Sequence, residues 1–129
     1  MLSSAGLAGL RVLVVEDELL VAMMIEDLLS DHRCIVVGPF GRVPAAMAAA
    51  RAAEIDLAVL DVNLAGVKIY PVAEVLAARS IPFLLLSGYG EAAVPHNHPD
   101  WRVCGKPFRS EQLVAMLIEQ FTRRLGPTA

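Results

Sequence analysis

The sequence is poor in several things, and each shortage narrows what the protein can be. Aromatic residues make up 5% of the 129-residue chain and charged residues 19%. With 56% hydrophobic residues and so few charges, the chain has ample apolar surface to bury, which argues against disorder and for a filled interior. Length places that interior within one domain. Its apolar content is largely Ala, Val and Leu, which suits helices packed closely on a sheet. There is no basic run and no interleaving of basic with aromatic residues, and the net charge is −3, so direct nucleic-acid binding is not indicated. There are only two cysteines, Cys34 and Cys104, both in apolar stretches. They read as small buried hydrophobes in a reducing compartment. No uninterrupted apolar run reaches the roughly 20 residues of a membrane helix, so no membrane insertion is expected. Residues 1–9 lack the charged start and apolar core of a signal peptide and read as a loose leader. A soluble, cytoplasmic protein is the expectation.

What is present is a regular alternation. Arg11 to Val15 is a short β-branched run that stops at Glu16-Asp17-Glu18. Apolar residues then recur at helical spacing (Leu20, Met23, Met24, Leu28), predicting a helix from about Glu18 to Asp31. Cys34 to Val37 reads as a second strand ended by Gly38-Pro39, and the Ala-rich stretch from Pro44 to Ala53 as a helix. Ile55 to Leu60 is a third strand, delivering Asp61 to its carboxyl end. Asn63 to Val67 turns around Gly66, and Tyr70 to Arg79 is helical with Pro71 in its first turn. Ile81 to Leu86 and Trp101 to Cys104 complete five strands, closed by Ser87-Gly88-Tyr89-Gly90 and Gly105-Lys106-Pro107. A last helix runs from Arg109 to Leu125, with Ser110 as its cap and Leu113, Met116, Leu117 and Phe121 as its apolar stripe. Met23, Met24, Met47 and Met116 read as core filler.

Strands alternating with helices predict an α/β fold with a parallel sheet and helices on both faces. Five strands select the flavodoxin-like doubly wound order 2-1-3-4-5, whose ligand crevice lies at the carboxyl ends of strands one and three. Glu16-Asp17 and Asp61 end those two strands, so the acids converge. Carboxylates that meet at one edge repel unless a cation compensates. All-oxygen ligands point to a hard cation, and Mg²⁺ suits few carboxylates with a phosphate partner. Ser87 and Lys106 end strands four and five at the same edge. The three acids carry −3, which Lys106 and Mg²⁺ balance, leaving a site poised for a dianionic group. An Asp carboxylate can attack phosphorus, with metal and lysine neutralising the transferring group.

Glu16-Asp17 after strand one, Asp61 after strand three, Ser87 after strand four and Lys106-Pro107 after strand five together resemble a response-regulator receiver domain. Each element has a bland reading on its own: a helix-capping acid, a turn serine, a surface lysine. The five in order, on the right elements, do not. The resemblance covers roughly Arg11 to Leu125, giving a domain over 10–125, a tail over 126–129 and no output domain. It implies that Asp61 is the phosphoacceptor, supplied by a histidine kinase or phosphotransfer protein. It implies Mg²⁺ held by Asp17, Asp61 and the backbone carbonyl of Asn63, with Glu16 acting largely through water. Ser87 and Lys106 would each bind a phosphoryl oxygen, and Gly88 and Tyr89 would govern access. The protein would signal to a downstream effector by protein–protein contacts and catalyse only its own phosphoryl transfer and dephosphorylation. The stretch from Pro82 to Tyr89 is similar to a Pro-Phe-x-Phe-Ala-Thr-Gly-Tyr type motif of mostly single-domain alphaproteobacterial receivers, with Leu85, Leu86 and Ser87 in place of its Phe, Ala and Thr.

Three departures stand out. Val103 occupies the position, three before the lysine, where receivers often carry a switch aromatic; Trp101 and Tyr89 are the available substitutes. The interval from Gly88 to Gly105 holds Gly90, Pro95 and Pro99 and leaves no room for a full fourth helix, so a single turn near Glu91 to Val94 or a mobile loop is expected. Leu64-Ala65-Gly66 replaces the common Met-Pro-Gly. The first two motivate an alternative: a phosphorylation-independent interaction module. A metal-dependent phosphatase fits less well, since Asn63 stands where such enzymes want a second acid. His96-Asn97-His98 lacks further metal ligands at suitable spacing and reads as a solvated loop.

Overall fold

The computed structural model describes residues 6–123. Five parallel strands form the sheet: β1 (Arg11–Val15), β2 (Ile35–Phe40), β3 (Leu57–Asp61), β6 (Phe83–Ser87) and β7 (Val103–Gly105), in the order β2-β1-β3-β6-β7. This is the flavodoxin-like doubly wound order expected from the alternation. The remaining strands, β4 (Asn63–Leu64) and β5 (Val67–Lys68), pair antiparallel as a small hairpin after β3, where the sequence suggested only a turn.

Period-two alternation divides the strands between two cores. Leu13, Val15, Ala58, Leu60, Phe83 and Leu85 face one side, with Ala46 and Ala50 of helix α2 (Val43–Ala52) and Val72, Ala73 and Leu76 of helix α3 (Tyr70–Ala78). Val12, Val14, Leu57, Val59, Leu84 and Leu86 face the other, with Ile25 and Leu29 of helix α1 (Leu19–Asp31) and Leu113, Val114 and Leu117 of helix α4 (Ser110–Arg123). The central strands β3 and β6 are buried at every position. That explains why they read as continuous apolar runs.

Several expectations need correction. Leu7 is fully buried and its carbonyl accepts from Cys34 Sγ at 3.5 Å, so residues 6–9 are no loose leader. Residues 1–5 of the expected leader, and the tail, lie outside the described residues. Strand β2 does not stop at Gly38-Pro39 but passes through it to Phe40, with a register shift opposite Val14. Gly38 has φ 107°, and a Cβ there would meet the Val14 oxygen and the Phe40 nitrogen at 2.9 Å. Only glycine fits this bulge. Ser110 is the first residue of α4 rather than its cap; the Arg109 carbonyl accepts from Leu113 N–H at 3.0 Å. Met23 and Met24 are about half exposed, not core filler, because α1 docks through Ala22, Ile25 and Leu29 instead. Met47 and Met116 do pack against the cores.

The segment between β6 and β7 holds one short turn of 3-10 helix over Gly90–Ala93, as its length predicted. Three contacts tether this turn and the loop leading from it to β7. Tyr70 Oη donates to the Ala93 carbonyl, His98 Nε2 meets Glu74 Oε2 at 3.1 Å, and Trp101 packs edge-on against Phe83 with ring centres 5.0 Å apart. His98 also stacks on Trp101 at 3.9 Å, so this histidine is engaged rather than solvated. No described helix is long and apolar enough to cross a membrane.

Candidate functional site

Strand register brings the predicted residues together. Val15 pairs with Leu60 and Asp61 with Leu86, so β1, β3 and β6 end at nearly one level and their polar residues share one edge. Hydrogen bonds close the β7 side: Lys106 N–H donates to the Ser87 carbonyl at 2.9 Å. Glu16 N–H donates to the Phe40 carbonyl at 2.9 Å, fixing the end of β1 against β2. The resulting open cleft, about 460 Å³, is lined by Asp17, Glu18, Asp61, Asn63, Ser87, Gly88, Tyr89 and Lys106 among others.

Glu16, Asp61 and Ser87 are the buried polar residues among those described, at 3%, 5% and 4% exposure. Glu16, Asp17 and Asp61 each place a carboxylate oxygen within 4.8 Å of the others. The donors are carboxylate oxygens alone, with no sulfur or imidazole, and this set fits a hard divalent cation. Lys106 Nζ lies 3.3 Å from Glu16 Oε1 and 3.4 Å from Asp61 Oδ2, between the two buried acids.

Burial is the largest single influence on each charge here. It pushes the Glu16 carboxyl up to about 7, and contact with Asp61 pushes in the same direction; a backbone N–H from Glu18 and the Lys106 charge pull only partly against it. Asp61 is also raised by burial, but contact with Glu16, the Lys106 charge and the Asn63 amide at 3.4 Å all favour its ionised form. Within the pair, these contacts favour the proton on Glu16 and the charge on Asp61. Burial works against the Lys106 charge, yet Glu16 and Asp61 outweigh it and hold the ammonium above the ordinary lysine range.

The surrounding residues are fixed by loop chemistry. Asp17 Oδ2 accepts from Ala65 N–H at 3.0 Å, tying the end of β1 to the β4–β5 turn. Asn63 Oδ1 accepts from Gly66 N–H at 2.9 Å, bracing the same hairpin. Ser87 Oγ accepts from Tyr89 N–H at 3.0 Å, which leaves its own proton free to donate into the cleft. The Tyr89 ring stands at the rim, 77% exposed. Val103 pairs with Leu85 on the inner side of β7 and packs against the core. Trp101 points into the core and not at the cleft.

Two cleft residues escaped the sequence reading. Glu18 Oε1 lies 3.3 Å from Lys106 Nζ, although the two are 88 positions apart. Lys68, on β5, lines the same cleft. For Glu18 the only signal was its place in a run of three acids; for Lys68 there was none.

A family model described as the response regulator receiver domain matches residues 12–118. Among solved structures, the chain is similar to SdrG from Sphingomonas melonis, with 40% identity, 91% of this chain and 98% of that chain covered, and a TM-score of 0.76. It also shares its fold with the receiver domain of a Pseudomonas aeruginosa sensor histidine kinase, solved with a magnesium ion in its active-site cleft. That match has 21% identity, covers 89% and 99% of the two chains, and scores 0.71. A third match is the response regulator PhyR from Brucella abortus, with 20% identity, 98% of this chain and 54% of that chain, and a score of 0.81. No curated protein matches the chain.

Proposed function

The chain belongs to the response regulator receiver family, and we propose that it accepts a phosphoryl group on Asp61 from a histidine kinase or phosphotransfer protein. One observation carries this reading: a buried carboxylate stands 3.4 Å from a lysine ammonium, beside two further acids able to hold a divalent cation. In this reading Asp17, Asp61 and the Asn63 backbone carbonyl would hold Mg²⁺, with Glu16 acting largely through water. Bound there, the ion would neutralise negative charge on the transferring group.

This chain's own residues supply the rest. Asp61 attacks phosphorus through a carboxylate oxygen that Lys106 helps keep ionised. Lys106 and the free Ser87 proton then bind two of the phosphoryl oxygens, stabilising charge in a site shielded from water on its sheet side. Gly88 adds no side chain and leaves room for a donor imidazole or an attacking water, while Tyr89 stands where it can cover the product. The phosphorylated form is read by a partner protein on the β7 side.

The test is intact mass after incubation with acetyl phosphate. Addition of one phosphoryl group, dependent on Mg²⁺ and lost in Asp61→Asn, is the expected result. No adduct in the wild type would overturn the reading. A second reading, a phosphate-independent interaction module, draws on Val103 in the switch position and on the short 3-10 turn. It requires partner binding to be indifferent to Asp61→Asn.

A further inference from the structure

We infer that Glu18 is a positioning residue of this site, whose carboxylate holds Lys106 in the unphosphorylated protein at the place a phosphoryl oxygen later takes. The inference rests on the receiver reading above and names a regulation of that same site. An ammonium has three donors, and Lys106 Nζ has three carboxyl groups at nearly equal range: Glu16 at 3.3 Å, Glu18 at 3.3 Å and Asp61 at 3.4 Å. Glu16 and Glu18 accept hydrogen bonds from it and Asp61 completes the ion-pair cluster, so the three together surround the ammonium. A phosphoryl oxygen that takes a full share of it displaces one of the three.

The three are not equally replaceable. Glu16 and Asp61 end buried strands and have nowhere to go. The Glu18 side chain is 63% exposed and hangs from the residue before α1. It makes no capping hydrogen bond to that helix. Its contact with Lys106 takes the place of that cap, and it alone can swing into water when displaced. Until it does, it also adds a negative charge facing the incoming dianion. The transfer itself balances without a proton: the bond from Asp61 oxygen to phosphorus forms, the bond from phosphorus to the acetyl phosphate carboxylate oxygen breaks, and acetate leaves.

The test compares the wild type with Glu18→Gln and Glu18→Asp. Phosphorylation by acetyl phosphate should be roughly two- to fivefold faster in Glu18→Gln at low ionic strength, the range an exposed ion pair supports, with the gain shrinking in high salt. Glu18→Asp keeps the charge but is one methylene too short for the contact, and should fall between the two. The dissociation constant for inorganic phosphate in Mg²⁺ buffer, followed by the Lys106 amide shift, should drop by the same factor in Glu18→Gln. Equal rates and equal phosphate affinity in wild type and Glu18→Gln would overturn the proposal. So would a Glu18→Asp variant that matches the wild type while Glu18→Gln is faster, since that marks a general field and not a contact. If acetyl phosphate failed to phosphorylate the wild type, the receiver reading would fall, and phosphate affinity would still decide the role of Glu18.

Discussion

Two neighbouring regions of this protein are held together by opposite means. The acid-lined edge consists of residues at or just beyond the ends of buried strands, so Glu16, Asp61, Ser87 and Lys106 inherit their positions from the backbone ladder. The flank between β6 and β7 has little ladder of its own. A 3-10 turn and a proline-bounded loop are held there by side chains: Tyr70 to Ala93, Glu74 to His98, His98 on Trp101 and Trp101 on Phe83. Backbone pairing fixes where the charged groups stand and resists change. Side-chain tethers can be exchanged one at a time, a property suited to a surface whose shape depends on the state of its neighbour.

The sharpest way to separate the two regions is Trp101→Ala. Removing a large ring from the core should cost about 3–5 kcal/mol in denaturant unfolding. Phosphorylation by acetyl phosphate should persist in the fraction that remains folded. Lys106→Ala attacks the other region: the phosphorylation rate should fall about 10²- to 10³-fold, the loss expected for one preorganised charge stabiliser, while the flank contacts remain.

A pH series sharpens the contrast further, because burial raises both Glu16 and Asp61 at the acid edge. Glu16 goes from an ordinary 4.5 to about 7 in the folded chain. A raised carboxyl favours the fold most when protonated. Its contribution is therefore complete below about 4.5 and is lost as pH rises to about 7, on the order of 2 kcal/mol in the absence of Mg²⁺. Urea midpoints across that window should show the decline in the wild type and lose it in Glu16→Gln. Over the same window Mg²⁺ affinity, measured by calorimetry, should rise with pH, since the ion competes with the proton.

The smaller effects lie on the rim and the flank. Tyr89→Ala should shorten the phosphoryl lifetime a few-fold by admitting water, and an unchanged lifetime would remove the covering role of that ring. Glu74→Gln should lower stability by less than about 1 kcal/mol, as for other partly exposed pairs.

The sequence showed the acid edge well and the flank poorly, and the reason is physical. Asp61 and Ser87 follow uninterrupted apolar runs, and such runs end where a parallel sheet ends. Nothing local told that His98 would reach Glu74, or that Glu18 would reach Lys106, because those contacts join elements far apart in the chain. Helix α1 shows the limit of periodicity. Leu20, Met23 and Met24 recur at helical spacing, but so do Ala22, Ile25 and Leu29, and the sheet took the smaller set; Leu20 is 80% exposed. Gly38-Pro39 resembled a strand end for a similar reason. A bulge uses the same residues as a stop, and the partner strand decides between them.

The chain has a single tryptophan, and it stands on the flank, stacked on His98 and edge-on to Phe83. Its emission is therefore a built-in optical gauge of that region alone, blind to the acid edge except through whatever couples the two. Adding a phosphodonor to the unlabelled protein and watching that one signal would turn the spatial separation of chemistry and readout into a separation in time.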